Sequence, residues 1–407
     1  MSTQTLARSE SKAGGFIVGP RFRTLPPLSL YVHVPWCVRK CPYCDFNSHE
    51  ARGALPEAQY VEALIADLDQ ALPLIWGRRV YTIFFGGGTP SLLTANAIDT
   101  LLSAVRARVP LATDAEITLE ANPGTFESEK FAGYRAAGVN RLSIGIQSFE
   151  AAHLKSLGRI HGEHEAHRAI EIAREHFENF NLDLMYALPG QTLQGLRSDI
   201  SQALAYEPPH LSVYHLTIEP NTYFHRHPPT VPGDDAAADM QDALEHALSG
   251  AGYDHYETSA YAGPGRRSRH NLNYWSFGDY LGIGAGAHSK LSFPDRIVRQ
   301  ARYRQPKEFM ARAGTGNAVQ TEVRVAAREA VFEFMMNALR LSDGFPLALF
   351  EERTGMPIVA ALRGLDEAER GGLIVRDHHR AAPTELGRRF LNDLLQIFLP
   401  EERTSSN

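Results

Sequence analysis

Cysteine is nearly absent: the 407 residues hold three, all between positions 37 and 44. A secreted disulfide framework uses even numbers of cysteines spread along the chain, so that class is excluded, and three thiols this close together point to a bound metal. Long hydrophobic runs are missing as well. No stretch approaches the roughly 18 apolar residues of a spanning helix, and Met1 to Gly15 lacks the apolar core of a signal peptide. Excess positive charge is also lacking. With 41 Lys and Arg against 47 Asp and Glu, the formal charge of −6 argues against a general polyanion surface and against nucleic acid as a partner. Arg266, Arg267 and Arg269 form only a local basic group. Tandem repeats and low-complexity tracts are absent too. The remaining expectation is a cytoplasmic globular chain of two or three domains, with an ordinary 43% of hydrophobic and 22% of charged residues.

Residues 1–28, ending in Thr24-Leu25-Pro26-Pro27-Leu28, show no sustained periodicity and read as a flexible arm. From Ser29, short β-rich runs alternate with helical patterns: Leu30 to Val34, Val80 to Phe85, Ile117 to Ala121, Leu142 to Ile146, Leu182 to Tyr186 and Leu211 to Thr217. Between the first two, Tyr60, Leu64, Leu68 and Leu72 recur every four residues and place one apolar stripe on a helix. Alternation of this kind predicts an α/β fold with a parallel sheet, and right-handed crossovers curl six such units into a partial (β/α)6 barrel over residues 29–230. Residues 231–320 read as an extension of the barrel, starting with a helix over Asp234 to Ser249. Residues 321–407 read as a small, mostly helical domain, with the winged helix as one candidate type, and with helices over Val323 to Arg340, Pro357 to Gly371 and Thr384 to Phe398.

The segment Tyr31-Val-His-Val-Pro-Trp-Cys37-Val-Arg-Lys-Cys41-Pro-Tyr-Cys44-Asp-Phe46 spaces its thiols C-x3-C-x2-C directly after the first strand. Three thiolates hold three corners of a 4Fe-4S cubane and leave one iron open, because protein clusters ordinarily take four protein ligands. A structural Cys3His zinc site completed by His33 or His49 is the plain alternative. It gives no reason for the motif to lie at the C-terminal end of a barrel strand, where barrel enzymes keep their chemistry. Later strand ends carry Gly86-Gly87-Gly88-Thr89-Pro90, whose missing side chains permit close backbone approach, then Glu120 and Gln147. Asp183 lies inside an apolar strand, where a carboxylate needs partners, and Arg159 is one candidate. Turns and solvated loop positions are the bland account of these residues.

The C-x3-C-x2-C spacing, with aromatic Tyr43 just before the last cysteine, resembles the signature of the radical SAM superfamily. The resemblance implies a 4Fe-4S cluster on Cys37, Cys41 and Cys44 and S-adenosylmethionine (SAM) on the open iron, where reductive cleavage yields a 5'-deoxyadenosyl radical. From Tyr31 to about Thr217 the runs are similar to the oxygen-independent coproporphyrinogen III oxidase branch. On that resemblance Tyr31, Gly87 and Glu120 fall where the branch binds the cluster-bound SAM. Tyr43, Gly88, Thr89, Gln147, Arg159 and Asp183 fall where the oxidase holds a second SAM.

Two departures, Phe46 in place of a further cysteine and a short stretch before the first strand, are similar to the heme-chaperone group of that branch. His270-Asn-Leu-Asn-Tyr-Trp275 fits that group's H-N-x-x-Y-W motif and implies heme held by His270 and Trp275; the plain alternative is that both residues cap and fill a loop. The implied function is heme carriage to respiratory hemoproteins. It would call on an electron donor such as flavodoxin or ferredoxin, and transient membrane association and a homodimer are compatible with it. A coproporphyrinogen III oxidase, or another radical SAM enzyme of tetrapyrrole metabolism, is the competing reading. His161, His164 and His167 read as a solvated helix face, and His225 and His227 as weak ligand candidates.

Overall fold

The computed structural model describes residues 19–125 and 128–400. Six strands, β1 (Leu28–Val34), β2 (Val80–Gly87), β3 (Leu111–Ala121), β4 (Arg141–Gln147), β5 (Phe180–Tyr186) and β6 (His210–His215), lie side by side, each parallel to the next. The crossovers are α1 (Glu57–Ala71), α2 (Ala95–Arg108), α3 (Ser128–Ala137), the pair α4 (Ala151–Ser156) and α5 (Glu163–His176), and α6 (Leu193–Leu204). The predicted stripe is the buried face of α1: Tyr60, Leu64 and Leu68 are fully enclosed, while Leu72 falls in a 3-10 turn after the helix. Thr94 and Thr192 start α2 and α6 by accepting the N–H groups of Ala97 and Gly195, which satisfies donors that a helix's first turn leaves open.

Successive strand side chains point to opposite faces, and here the two faces differ in chemistry. Leu30 and Val32 of β1, Ile83 and Phe85 of β2, and Leu182 and Leu184 of β5 belong to the main apolar core that the helices cover. Ser29, Thr82, Ser143, Asn181 and His210 on the other face are buried and polar and bond to one another across the barrel interior. Thr82 donates to Ser29 (2.8 Å), Asn181 donates to Ser143 (2.8 Å), and His210 and Asn181 share a bond of 2.6 Å.

The sheet continues past residue 230. β7 (Asp254–Glu257) and β8 (Ala260–Ala262) extend it antiparallel beyond β6. β9 (Asp279–Ile283) joins β1 in parallel, and β10 (His288–Phe293), β11 (Arg296–Arg302) and β12 (Val319–Arg324) follow antiparallel, giving twelve strands in one sheet. The helix expected over Val323 to Arg340 is therefore shorter: its first residues pair with β11 as an edge strand, and the helix runs over Ala327–Ala338. After it, helices pack with a three-stranded antiparallel sheet around Phe334, Phe345, Phe350 and Leu365 in a second core. Of the expected arm, residues 1–18 lie outside the described residues. The remainder is anchored: Arg21 N–H donates to the Gly355 carbonyl (2.7 Å), Phe22 packs on the second core, and Leu28 already belongs to β1.

Two fully enclosed ion pairs fasten the extension to the barrel. Asp279 at the start of β9 accepts from Arg78 (2.8 Å), Lys290 (3.0 Å) and the backbone and hydroxyl of Ser292 (2.8 Å each). Asp67 of α1 accepts from Arg302 (3.2 Å) and the Gly284 N–H (3.0 Å). Burial pulls the Lys290 ammonium down to about 8 despite Asp279, so its charge depends on that carboxylate. Asp279→Ala leaves Lys290 and Arg78 without their counter-charge, and chemical denaturation is expected to show a loss of about 3–5 kcal/mol; a loss no larger than that of an exposed surface substitution would refute this account.

Candidate cluster and cofactor site

The C-terminal ends of β1 to β6 open into a cavity of about 310 Å³. Its wall includes all three thiols together with Tyr43, Gly87, Gly88, Thr89, Glu120, Gln147, Arg159 and Asp183, so those expected residues converge. Tyr31 is just below: its hydroxyl pairs with His33 Nδ1 (3.1 Å), its ring stacks on Phe84, and Glu120 lies near enough to help burial raise its pKa.

The cysteine loop is clipped at its base. Trp36–Cys37 pairs in parallel with His49–Glu50, and Lys40 donates to the carbonyls of Phe46 and Ser48. Asn47 donates to the carbonyls of Ala285 and Arg304 (2.9 Å each), which ties the loop to the far side of the sheet. The glycine run serves this loop. Gly88 and Thr89 donate to the carbonyls of Val34 and Trp36 (2.7 Å each), and a Cβ on Gly88 would lie 2.5 Å from the Trp36 oxygen. Gly87 has φ +113°, and a Cβ there would meet the His33 ring at 2.5 Å. The close approach these glycines permit is thus largely between chain segments.

Thiol chemistry fits a cluster. Burial raises the Cys37 and Cys44 pKa values, so these thiols remain protonated until a metal draws the protons off. Among the described residues no three His, Cys, Asp or Glu side chains are gathered closely enough for a single ion. Arg159 points one nitrogen at Cys41 Sγ (3.7 Å) and donates with another to Asn122 Oδ1 (2.6 Å) and the Gly145 carbonyl (2.7 Å). No bond joins it to Asp183, whose partners are Ser143 (2.9 Å) and Asn181 (2.8 Å), so the expected Arg159–Asp183 pairing is corrected. Glu120 receives one N–H, from Gly87 (3.2 Å). Burial, and then the neighbouring Asp183 carboxylate, push Glu120 up to about 8. Gln147 takes φ +69° at the end of β4, the left-handed conformation that non-glycine residues adopt mostly where function or packing demands it.

Asn122 and Tyr214 were missed by motif reading, and His161 was assigned to a solvated helix face. Asn122 and Tyr214 follow from the position of their strands, since both lie at barrel strand ends like Glu120. His161 is buried in the cavity wall, bonds the Ile146 carbonyl (3.1 Å) and has no partner for Nδ1, whereas His164 is exposed and His167 stacks on Phe149. The three histidines do not share a solvated face, because His161 precedes α5. His225 and His227 are exposed. Phe46, 62% exposed, lies at the cavity wall.

His270 and Trp275, expected to hold heme, lie away from the cavity that gathers the thiols. The helix Arg269–Trp275 closes the barrel floor, at the opposite end from the thiols: Glu116 accepts the N–H groups of Arg269 (3.1 Å) and His270 (3.0 Å), and Asn273 donates to Ser29 (2.8 Å). His270 is 8% exposed, bonds Thr82 through Nδ1 (2.8 Å) and packs on Phe84, so its ring is not presented to an iron. Trp275 lies under the Arg340 guanidinium. Two members of the basic group are ion-paired: Arg267 with Asp254 and Asp343, and Arg269 with Asp114.

The Radical SAM superfamily model matches residues 31–203, and the HemN C-terminal domain model matches 325–390. The heme chaperone HemW of Escherichia coli is 52% identical, over 93% of this chain and 99% of its own. The heme chaperone HemW of Bacillus subtilis is 34% identical over 92% and 99%. Mouse radical S-adenosyl methionine domain-containing protein 1, mitochondrial, is 34% identical over 92% and 87%. The solved structure of coproporphyrinogen III oxidase (HemN) from Escherichia coli, a radical SAM enzyme, superposes with a TM-score of 0.78, covering 92% of this chain and 90% of that one at 24% identity, a likeness of fold. The match along nearly the whole length of the bacterial relatives, and the radical SAM domain with its implied cluster and SAM, place this chain in the HemW family of radical SAM proteins.

Proposed function

We propose that the chain is a cytoplasmic heme chaperone that holds a 4Fe-4S cluster on Cys37, Cys41 and Cys44, binds SAM beside it, and carries heme to respiratory hemoproteins. The observation that carries the cofactor part is the convergence of the thiols and the strand-end groups on one cavity. The heme part rests on the names of the relatives. When bound, the cluster and SAM supply one-electron chemistry at the open iron. The chain's own residues do the rest: Lys40 and Asn47 fix the cysteine loop, Gly87 and Gly88 let it sit against β2, and Arg159 balances thiolate charge. Glu120 is placed to accept from sugar hydroxyls, and Tyr31 and Phe84 seal the cavity from the floor. A reduced flavodoxin or ferredoxin would serve as electron donor. Transient membrane contact and a homodimer remain compatible with this reading.

Phe46 favours carriage over oxidation. An aromatic hydrocarbon side chain cannot donate the proton or hydrogen atom that a thiol supplies. Under anaerobic conditions the protein is expected to retain heme and to leave coproporphyrinogen III unconverted; vinyl product formed at the rate of a genuine oxidase would overturn the reading.

Anaerobic reconstitution should load about four iron per chain, and Cys41→Ala should lose them together with the brown absorption. Stoichiometric zinc binding by the wild-type chain in place of iron would argue for the structural alternative.

Glu120→Gln should weaken SAM binding while its ligand-free stability moves the other way. The folded pKa of about 8 exceeds the ordinary 4.5, so the native state binds the extra proton between these values and wild-type stability falls as pH rises through that window. The melting-temperature advantage of Glu120→Gln should therefore grow between about pH 5 and about pH 8. A pH-independent difference would show that Glu120 titrates normally.

A further inference from the structure

A second cavity, of about 810 Å³, lies at the N-terminal end of the barrel strands, opposite the cysteine loop. Five arginines line it: Arg21 and Arg23 from the segment before β1, Arg78 and Arg79 from the turn before β2, and Arg353 from the helix Leu347–Thr354. Two carboxylates on the same wall, Glu351 and Glu352, leave it basic. Arg21, Arg23 and Arg79 are exposed and make no side-chain ion pair with any described residue. Arg78, 12% exposed, spends one nitrogen on Asp279 and the Pro26 carbonyl, and its Nη1 is buried without a partner. Arg353 Nε is likewise buried and unpartnered, and burial lowers its pKa. Buried guanidinium nitrogens without acceptors are costly, and an acceptor brought to this wall would offset that cost.

The rest of the wall is apolar or aromatic. Tyr81, 41% exposed on β2, faces the cavity with Phe22, Leu25 and Pro27. Apolar walls around a few convergent charges suit a flat amphipathic dianion better than a small, fully hydrated one. The N-terminal face of a barrel ordinarily serves stability, so barrel chemistry does not account for these arginines. The cluster cavity, at about 310 Å³, is also the smaller of the two and has the cluster and SAM to accommodate.

Resting on the heme-carrying reading, we propose that this cleft is the heme-docking site and that its arginines bind the two propionate carboxylates, with Tyr81 and Phe22 against the ring. Bidentate guanidinium–carboxylate pairing supplies the recognition. The test is an anaerobic titration of the cluster-loaded full chain with heme and with heme dimethyl ester, whose carboxylates are blocked, followed by Soret absorption. Arg23→Gln/Arg79→Gln removes two exposed, unpaired charges and should leave iron content and melting temperature unchanged. The double variant should lose heme affinity by about ten-fold or more. The ester should bind the wild type and the variant equally weakly. Arg353→Gln should weaken heme in the same direction. Unchanged heme affinity in both variants, with tight binding by the wild type, overturns the cleft and spares heme carriage. Equal losses for heme and its ester also overturn it, since the carboxylates would not be what the arginines read. A wild-type chain that binds no heme overturns the carrying function itself, and this proposal with it.

Discussion

Polar side chains on the inward face of β1 to β6 set the terms for the whole barrel. A carboxylate, amide or imidazole enclosed there must find a partner, because an unmade bond in the interior costs more than the bond gains elsewhere. At the floor the partners come from the chain. Glu116 takes two N–H groups from the helix that carries His270, and His210 bonds both Asn181 and Tyr256. Burial, then the neighbouring Arg141, hold His270 down at about 3, so it stays neutral and suits a hydrogen-bonded plug. At the opposite end the chain runs out of partners: Glu120 has one N–H and a like-charged neighbour. The difference between the two ends is the difference between a finished interior and a binding site.

The same logic explains why the cysteine loop can be both exposed to a cofactor and fixed. Its thiols occupy the cavity, while its backbone is held from outside by Asn47, Lys40 and the pairing of Trp36–Cys37 with His49–Glu50. Gly87 and Gly88 bring β2 within contact of that backbone, so the strand end and the loop behave as one wall. Preorganisation of this kind lets the site bind a cluster without first ordering its own ligands.

Much of this was legible in the sequence. C-x3-C-x2-C after a strand located the three thiols that line the cavity, and alternating runs located the barrel and six of its strands. What failed did so for identifiable reasons. Asp183 looked as though it needed Arg159, but its partners are at two-residue spacing on its own strand and on β4, a proximity that only register reveals. Which end of the barrel the His270 helix closes was not legible either, because nothing local in the H-N-x-x-Y-W stretch records it. The stretch Leu28-Ser-Leu-Tyr-Val-His-Val alternates apolar and polar without a break, and β5 and β6 alternate similarly. That two-residue period marks a polar interior, and it would have placed Tyr214 and Asn181 inside before any fold was known.

Placing a metal centre at one end of a barrel and an arginine cleft at the other has a physical consequence. Six strands of seven or so residues, at about 3.3 Å per residue, set the two ends roughly 20 Å apart. Over that distance, through a packed layer of Tyr31, Phe84 and His270, no ligand group reaches from one site to the other. Any coupling between the two ends must travel through strands and side chains. The enclosed Asp279 is well placed for this: it bonds Arg78 of the cleft, Lys290 and Ser292 of β10, and begins the strand whose far end leads to the Ala285 carbonyl that holds Asn47 of the cysteine loop. One buried carboxylate thus touches the cleft directly and the cluster loop through a single strand. β1, which begins in the cleft wall at Leu28 and ends three residues before Cys37, joins the same two ends and pairs with β9 at Asp279.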